Sequence, residues 1–327
     1  PSTAPAGLPS GGAASASGGA SAAAQAATIG LTYIPNVQFS PFYVAEAAGD
    51  YDRHGVAATL RHHGASEALF TAIAAGQEQF VVAGADEMLQ ARSQGMDLVA
   101  IAQHYHRYPV VLIVPDASPI KTAADLKGRS VGVPGKYGES WFGLKVLLKG
   151  AGLAESDVTI TEIGYTQQAA LVSKRVDSII GFSNNDVVAF AAAGVAVRSI
   201  PLLASGTPPL VSICLITTQA YADAHPDVVK GVVAATTEGF RAAAADPAAA
   251  LDATTAYVST LKSDAAARDS AAKTLAASIA VWKDASGQIT PAMDPAQFAA
   301  MATFMNEQGL LAKAVDPAGA LSNAYQS

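Results

Sequence analysis

Apolar and polar positions alternate along the chain in short blocks that switch repeatedly between two periods. Thr28 to Ile34 is a β-rich run and Pro35 to Phe39 a polar-aromatic turn. Ser40 to Ala48 has the marks of a helix: Ser40 to cap it, Pro41 in its first turn and Gly49 to close it. The same unit recurs. Ala57 to Arg61 is a strand, and Ser66 caps a helix to Ala75 with Leu69, Ala72 and Ile73 on one face. Gln79 to Ala83 is a strand, Ala85 to Gln94 a helix stopped by Gly95, and Leu98 to Ala102 a further strand. Alternation of this kind predicts βαβ units with right-handed crossovers and a parallel sheet.

A second block follows PVVLIVP, where Pro115, Asp116, Ser118 and Pro119 break the pattern. Strands at Ser130 to Val133, Val158 to Glu162 and Asp177 to Gly181 alternate with helices at Gly138 to Lys149, Thr166 to Lys174 and Asn185 to Ala193. The apolar run Val211 to Thr217 returns the chain to its first unit. Two crossings make a two-segment hinge, an arrangement that traps a ligand between lobes. The expected organisation is α/β, with two lobes that are each a three-layer α/β/α domain. Lobe 1 takes 28–114 and 204–327, and lobe 2 takes 115–203. Beyond Gln219 the pattern is helical, with starts at Pro226, Asp246-Pro247 and Asp294-Pro295, and an Ala-rich helix from Asp264 to Lys283 whose Trp282 belongs to the core.

Composition narrows the class. Half of the 327 residues are apolar and the net charge is −7, which describes a globular chain with ample core material. An acidic surface with no basic stripe argues against nucleic acid as a partner. Cys214 is the single cysteine, in the apolar run VSICLIT, so neither an intrachain disulfide nor a cysteine-based zinc site can form. Residues 1 to 27 are almost wholly Ala, Gly, Ser and Pro, too poor in core-forming side chains to offset ordering entropy. They read as a disordered tether, and the chain as a processed form whose targeting segment has been removed.

In an open α/β sheet small ligands bind beyond the carboxyl ends of the strands, near helix amino termini. The residues at those handovers are Asn36, Gln38 and Phe39, then Asp86 and Glu87, Tyr105, Tyr137 in the Gly135 to Gly138 turn, Tyr165 with Gln167, and Asn184 to Asp186. They combine flat apolar faces with amide and carboxyl edges, as a planar polar heterocycle requires. Asn36 is equally explained as a turn residue, Asp86 and Asp186 as helix caps, Tyr137 and Tyr165 as lobe packing, and Phe42 and Ala45 as core. His104 and His106 could share a strand face, but no metal-ligating spacing accompanies them, and no nucleophile motif or phosphate-binding glycine loop is present. No metal or cofactor is expected.

The stretch YIPNVQFSPFYVAEAAGDYDRHGV, continued by HHGASEALFTAIAAGQ, VVAGADEMLQARSQG, IKTAADLKGRSVGVPGKYG, EIGYTQQAAL and VDSIIGFSNND, resembles the extracytoplasmic binding proteins of ABC importers in the thiamine-pyrimidine precursor family, with riboflavin-binding relatives close by. The resemblance implies a two-lobe type II periplasmic-binding-protein-like fold and a monomeric, lipid-anchored receptor that passes a small heteroaromatic ligand to a membrane permease. A thiamine pyrimidine precursor is first choice and a flavin second, the flavin needing a longer aromatic sandwich drawn from Phe39, Tyr108 and Trp141. It also implies that aromatic rings sandwich the ligand while carboxylate and amide groups read its edge, with Tyr105, Tyr137, Glu87, Asn36 and Asp186 on the matching motifs. Asp186 stands where relatives often carry Glu. The pyrimidine-making enzymes related to this family carry a cysteine cluster, which one cysteine cannot supply.

Overall fold

The computed structural model describes residues 24–64 and 67–326. In chain order the elements are β1 (Gln25–Leu31), α1 (Ser40–Ala47), α2 (Asp50–Arg53), β2 (Val56–His62), α3 (Thr71–Ala74), β3 (Phe80–Gly84), α4 (Ala85–Ser93), β4 (Leu98–Gln103) and β5 (Val110–Pro115). There follow β6 (Ser130–Val133), α5 (Gly138–Ala151), β7 (Thr159–Glu162), α6 (Gln167–Val172), β8 (Ser178–Phe182), α7 (Asp186–Ala192), β9 (Val197–Ile200) and β10 (Ile213–Thr218). The helices α8 (Gln219–Ala224), α9 (Pro226–Ala245), α10 (Pro247–Thr254), α11 (Ala265–Trp282) and α12 (Pro295–Glu307) complete the chain.

Two five-stranded sheets result, ordered β2-β1-β3-β10-β4 and β7-β6-β8-β5-β9. Their strands sort alternate side chains into different cores. In β3, Phe80 and Val82 enter the core under α1 and α9, while Val81 and Ala83 enter the opposite one beneath α4. Strands buried on both faces read as continuous apolar runs, which is why these segments were recognisable. The core beneath α4 runs on without a break into the second lobe, taking in Val110, Leu112, Phe142 and Leu147. The far face of the second sheet has its own small core around Ile113, Ile179 and Phe190.

Four expectations need correction. The sheets are mixed: β10 runs antiparallel to β3 and β4, and β5 antiparallel to β8 and β9. Val110–Pro115, assigned by its position to lobe 1, is a strand of the second sheet, because its backbone bonds go to β8 and β9. The first crossing therefore lies at 104–109. β9 escaped notice because VRSI is a half-exposed edge strand whose Arg198 turns back to donate to the carbonyl oxygens of Ser118 and Ile120. The tether was drawn too long: Gln25, Ala26 and Ala27 pair with Val56, Ala57 and Ala58, and Ala27 is buried. Residues 1–23 lie outside the described residues, as does Ser66, the expected cap; the helix expected there is described only as α3. Ser40 does not cap α1. Its hydroxyl is buried without a partner, and Asn36 caps the preceding turn instead by accepting from Gln38 N at 2.8 Å.

Candidate functional site

A cavity of about 390 Å³ opens between the lobes. β1, β3 and β4 reach it at their carboxyl ends through Thr32, Val82 and Tyr105; β6, β7 and β8 do the same from the other side through Pro134, Tyr165 and Phe182. Ile213 lies there because an antiparallel strand presents its amino end where its neighbours present their carboxyl ends. Seven of the eighteen lining residues are aromatic: Tyr33, Phe39, Phe42, Tyr105, Tyr165, Phe182 and Phe240. Aromatic residues make up only 7% of the chain, so the walls are strongly enriched in them. The polar lining comes from Thr32, Asn36, Gln38, Gln167, Asn185, Ser140, Glu139 and Asp186, and among the described residues no Lys or Arg lines the cavity.

Of the residues expected to meet a ligand, Asn36, Gln38, Phe39, Tyr105, Tyr165 and Asp186 are brought together here. Asn36 serves its turn as well, donating from Nδ2 to Ile34 O at 3.0 Å. Asp186 accepts from Phe182 N at 2.7 Å, and burial raises its carboxyl above the usual range. The Tyr105 phenol is pushed up to about 12 by burial and stays neutral.

The other four do not line the cavity. Asn184 is fully buried and donates from Nδ2 to Ser278 Oγ of α11 at 3.1 Å, tying the lobes together. Tyr137 lies half-exposed in a separate groove beside Leu69, Phe70 and Met96, its ring so close over Gly135 that a β-carbon there would be 2.2 Å from Cε1. Glu87 lines that same groove. Asp86 is buried in the lobe interface, where the Tyr108 hydroxyl donates to its Oδ2 at 2.7 Å. Tyr108 and Trp141, offered for a longer sandwich, also lie elsewhere; Lys145 covers the Trp141 ring at 5.0 Å.

Gln167 and Asn185, named with the handovers, line the cavity as well, and so do Glu139, Ser140, Phe182, Phe42 and Phe240, which were not singled out as contacts. Position at a strand end or in the helix turn that follows it is the signal that would have found Phe182 and Glu139. No local signal marks Phe240, which arrives from α9 far along the chain.

Behind the wall, His62 fixes the loop that carries Tyr33. One ring nitrogen faces the Tyr33 carbonyl at 2.9 Å and the other the Tyr43 hydroxyl at 2.8 Å. The carbonyl can only accept, so Nδ1 carries the proton and Nε2 accepts from Tyr43. Burial lowers the affinity of His62 for a second proton. His104 stacks on Phe240 at 4.3 Å and burial lowers its pKa to about 3, so it too is neutral. Trp282 is fully buried, edge-on to Phe240.

The family described as NMT1/THI5-like matches residues 36–250, which hold most of the cavity wall. The chain belongs to that family. It is 32% identical over 230 residues to riboflavin-binding protein RibY of Chloroflexus aurantiacus, covering 70% of this chain and 65% of RibY. Against a putative thiamine biosynthesis protein of Haemophilus influenzae it is 25% identical over 162 residues, covering 48% of this chain and 50% of that one. The chain thus spans between half and two thirds of the length of these two relatives. Among solved structures, the periplasmic aliphatic sulphonate binding protein SsuA of Escherichia coli superposes with a TM-score of 0.72 at 20% identity, over 91% of this chain and 92% of SsuA. That likeness shows the fold: a two-lobe α/β architecture of the periplasmic binding protein kind.

Proposed function

We propose that this NMT1/THI5-like chain is the ligand-capturing receptor of an ABC-type importer, and that it takes an uncharged, planar, fused heteroaromatic compound of the flavin class. The carrying observation is the seven-aromatic wall of a cavity of about 390 Å³. That volume exceeds what one six-membered ring fills and suits a drug-sized ligand. A sandwich drawn from both lobes is what an extended ring system rewards, each well-placed stack adding about 0.5–1.5 kcal/mol beyond area burial. The likeness to RibY supports the same order, which reverses the preference for a thiamine pyrimidine drawn from sequence motifs.

Charge sharpens the reading. With Glu139 and Asp186 in the wall and no basic residue there, an anionic group brought inside would be desolvated without a counter-charge. Phosphorylated or sulfonated ligands are therefore disfavoured, although the fold is shared with a sulphonate binder. The site offers binding surfaces and no activated nucleophile, since Cys214 is sealed in the core and His104 is stacked and neutral. The same reading puts the receptor outside the cytoplasm, lipid-anchored and monomeric, facing its permease.

Calorimetric titration with riboflavin, riboflavin phosphate and a thiamine-type aminopyrimidine tests this. Riboflavin should bind, and its phosphate at least about tenfold more weakly, a difference of roughly 1.4 kcal/mol. Binding of the aminopyrimidine alone would overturn the ligand class; equal affinity for the phosphate would overturn the charge argument.

A further inference from the structure

Asp86 and Glu87 stand in the first turn of α4, on the first lobe, and Glu139 in the first turn of α5, on the second. They meet across the lobe interface. A β-carbon at Gly84 would lie 2.5 Å from Asp86 Oδ1, 3.0 Å from Glu87 Oε2 and 3.1 Å from Glu139 Oε1, so the three carboxyl groups lie within about 6 Å of one another. Gly84 is glycine because those oxygens occupy the space a side chain would need. Tyr108, from the segment joining the lobes, spans the contact: its hydroxyl is 2.7 Å from Asp86 Oδ2 and 3.2 Å from the Glu139 carbonyl oxygen.

Glu139 is only 6% exposed and its Oε1 has no hydrogen-bond partner; Ser212 Oγ, also buried, has none either. No ion pair among the described residues involves any of the three acids. Nor do the described residues include a group of three or more His, Cys, Asp or Glu arranged to hold a metal ion. The other titratable groups that face the cluster are Tyr105, Tyr108, Tyr165 and Cys214, every one uncharged near neutrality, with Tyr137 in the groove beside Glu87 and Asp186 in the cavity wall with Glu139; none of them is a cation. The amino termini of α4 and α5 offset part of the repulsion. Three carboxylates at this spacing and without a cation, two of them buried and Glu87 opening only onto the groove it lines, resist being ionised together.

We infer that closure of the lobes is proton-linked: Glu139 of one lobe approaches Asp86 and Glu87 of the other only by taking up a proton that the cluster then holds, and loss of that proton drives the lobes apart. The atoms for this are in place, since a protonated carboxyl can donate to a neighbouring carboxylate or to Ser212. Burial and the neighbouring acids push Asp86 and Glu139 well above the carboxylate range, and burial pushes Glu87 up to about 7. Groups whose affinity for protons is higher in the closed form favour closure fully below their ordinary carboxylate values. They lose that contribution as pH rises through the closed-form values. Ligand affinity should thus fall with rising pH from about 5 to 7, by up to tenfold per pH unit for each proton, with Asp86 and Glu139 extending the loss upward.

This inference does not depend on the ligand class, so its first test uses no ligand. Solution scattering of the whole protein at pH 5 and pH 8 should show a larger radius of gyration at pH 8. The neutral isosteric pair Glu87→Gln with Glu139→Gln should stay as compact at pH 8 as the wild type is at pH 5, with near-ultraviolet dichroism checking that it folds. Riboflavin titration across the same range should show the loss of affinity in the wild type and a shallower loss in the double variant, in which Asp86 alone of the three still titrates. A wild-type radius unchanged between pH 5 and pH 8 overturns the inference, and so does a double variant that expands as the wild type does. Failure of riboflavin to bind at any pH would count against the flavin reading alone and leave the scattering result to decide this one.

Discussion

At the scale of single residues, the site separates aromatic positions that look alike in sequence. Tyr137 and Tyr165 both follow a strand and both are exposed, at 52% and 68%, yet only Tyr165 lines the cavity. Replacing Tyr165 by Ala should weaken riboflavin binding by roughly 0.5–1.5 kcal/mol, about two- to tenfold, while Tyr137→Ala should change it by less than about twofold; calorimetry on the two variants checks the contrast. The buried Cys214 gives a second handle. Its thiol is fully enclosed and burial pushes its pKa well above the usual value. A thiol-specific reagent should therefore react only through opening of the molecule, at least about a thousandfold more slowly than with a free thiol, and at a rate that climbs as urea is added. Fast reaction in native buffer would show that the core around β10 opens locally. The residue scale is also where sequence reading was least informative. Asn36 makes its turn and lines the cavity, Asp186 lines the cavity but binds back to Phe182 N without capping α7, and Glu87 and Asn184 point into interfaces that exist only once distant segments have met.

Among the elements, β1 carries the first lobe, because it pairs with β2 on one side and β3 on the other. Gly30, next to its carboxyl end, has no room for a side chain: a β-carbon would lie 2.2 Å from Glu78 Oε2. That carboxylate is itself held, with His63 Nε2 2.9 Å and Arg61 Nη1 2.6 Å from its Oε1. Gly30→Ala should cost about 1–3 kcal/mol, read as a lowered denaturant midpoint with an unchanged slope. An unchanged midpoint would mean that Glu78 can swing aside. Deletion through residue 27 should likewise lower the thermal midpoint, since it removes the paired residues Gln25, Ala26 and Ala27, whereas a chain starting at residue 24 keeps them. A loss of about 1 kcal/mol corresponds to roughly 2–4 °C in a domain of this size. Capping shows how local reading can be right about an element and wrong about its cause. α1 begins at Ser40 as expected, but the helix starts there because the Asn36 turn and Pro41 set the backbone, with no bond from Ser40.

For the whole molecule, the two antiparallel strands are the main departure from the expected architecture. β5 and β10 are the strands by which the chain enters the second sheet and returns to the first: β10 inserts between β3 and β4, already laid down, whereas β5 comes first in its sheet and is later flanked by β8 and β9. Their direction is set by the crossing at 104–109 and the return beyond β9, not by anything in VVLIVP or ICLITT. The same crossings place Tyr105 and Tyr108 at the junction of the lobes, one in the cavity and the other on the acid cluster. If closure captures the ligand, saturating riboflavin at pH 6 should reduce the radius of gyration in solution scattering, with the joining segments absorbing the change. Equal radii with and without bound riboflavin would refute capture by closure.

The sequence by itself determined the elements and the fold class. Period-2 and period-3.6 patterns with their Pro and Gly punctuation are local properties, and apolar runs report burial on both faces of a strand wherever that strand lies. It also determined where to look for the cavity, because the strand-to-helix handovers of a two-lobe α/β molecule converge by topology. Only the tertiary structure decided which side chains face the cavity, which sheet Val110–Pro115 joins, and that Asp86, Glu87 and Glu139 meet around Gly84. Those depend on contacts between segments tens to hundreds of residues apart, such as Phe240 against Phe42 or Asn184 against Ser278. A local pattern shows that a residue can be buried; what it is buried against depends on the packing of the two lobes.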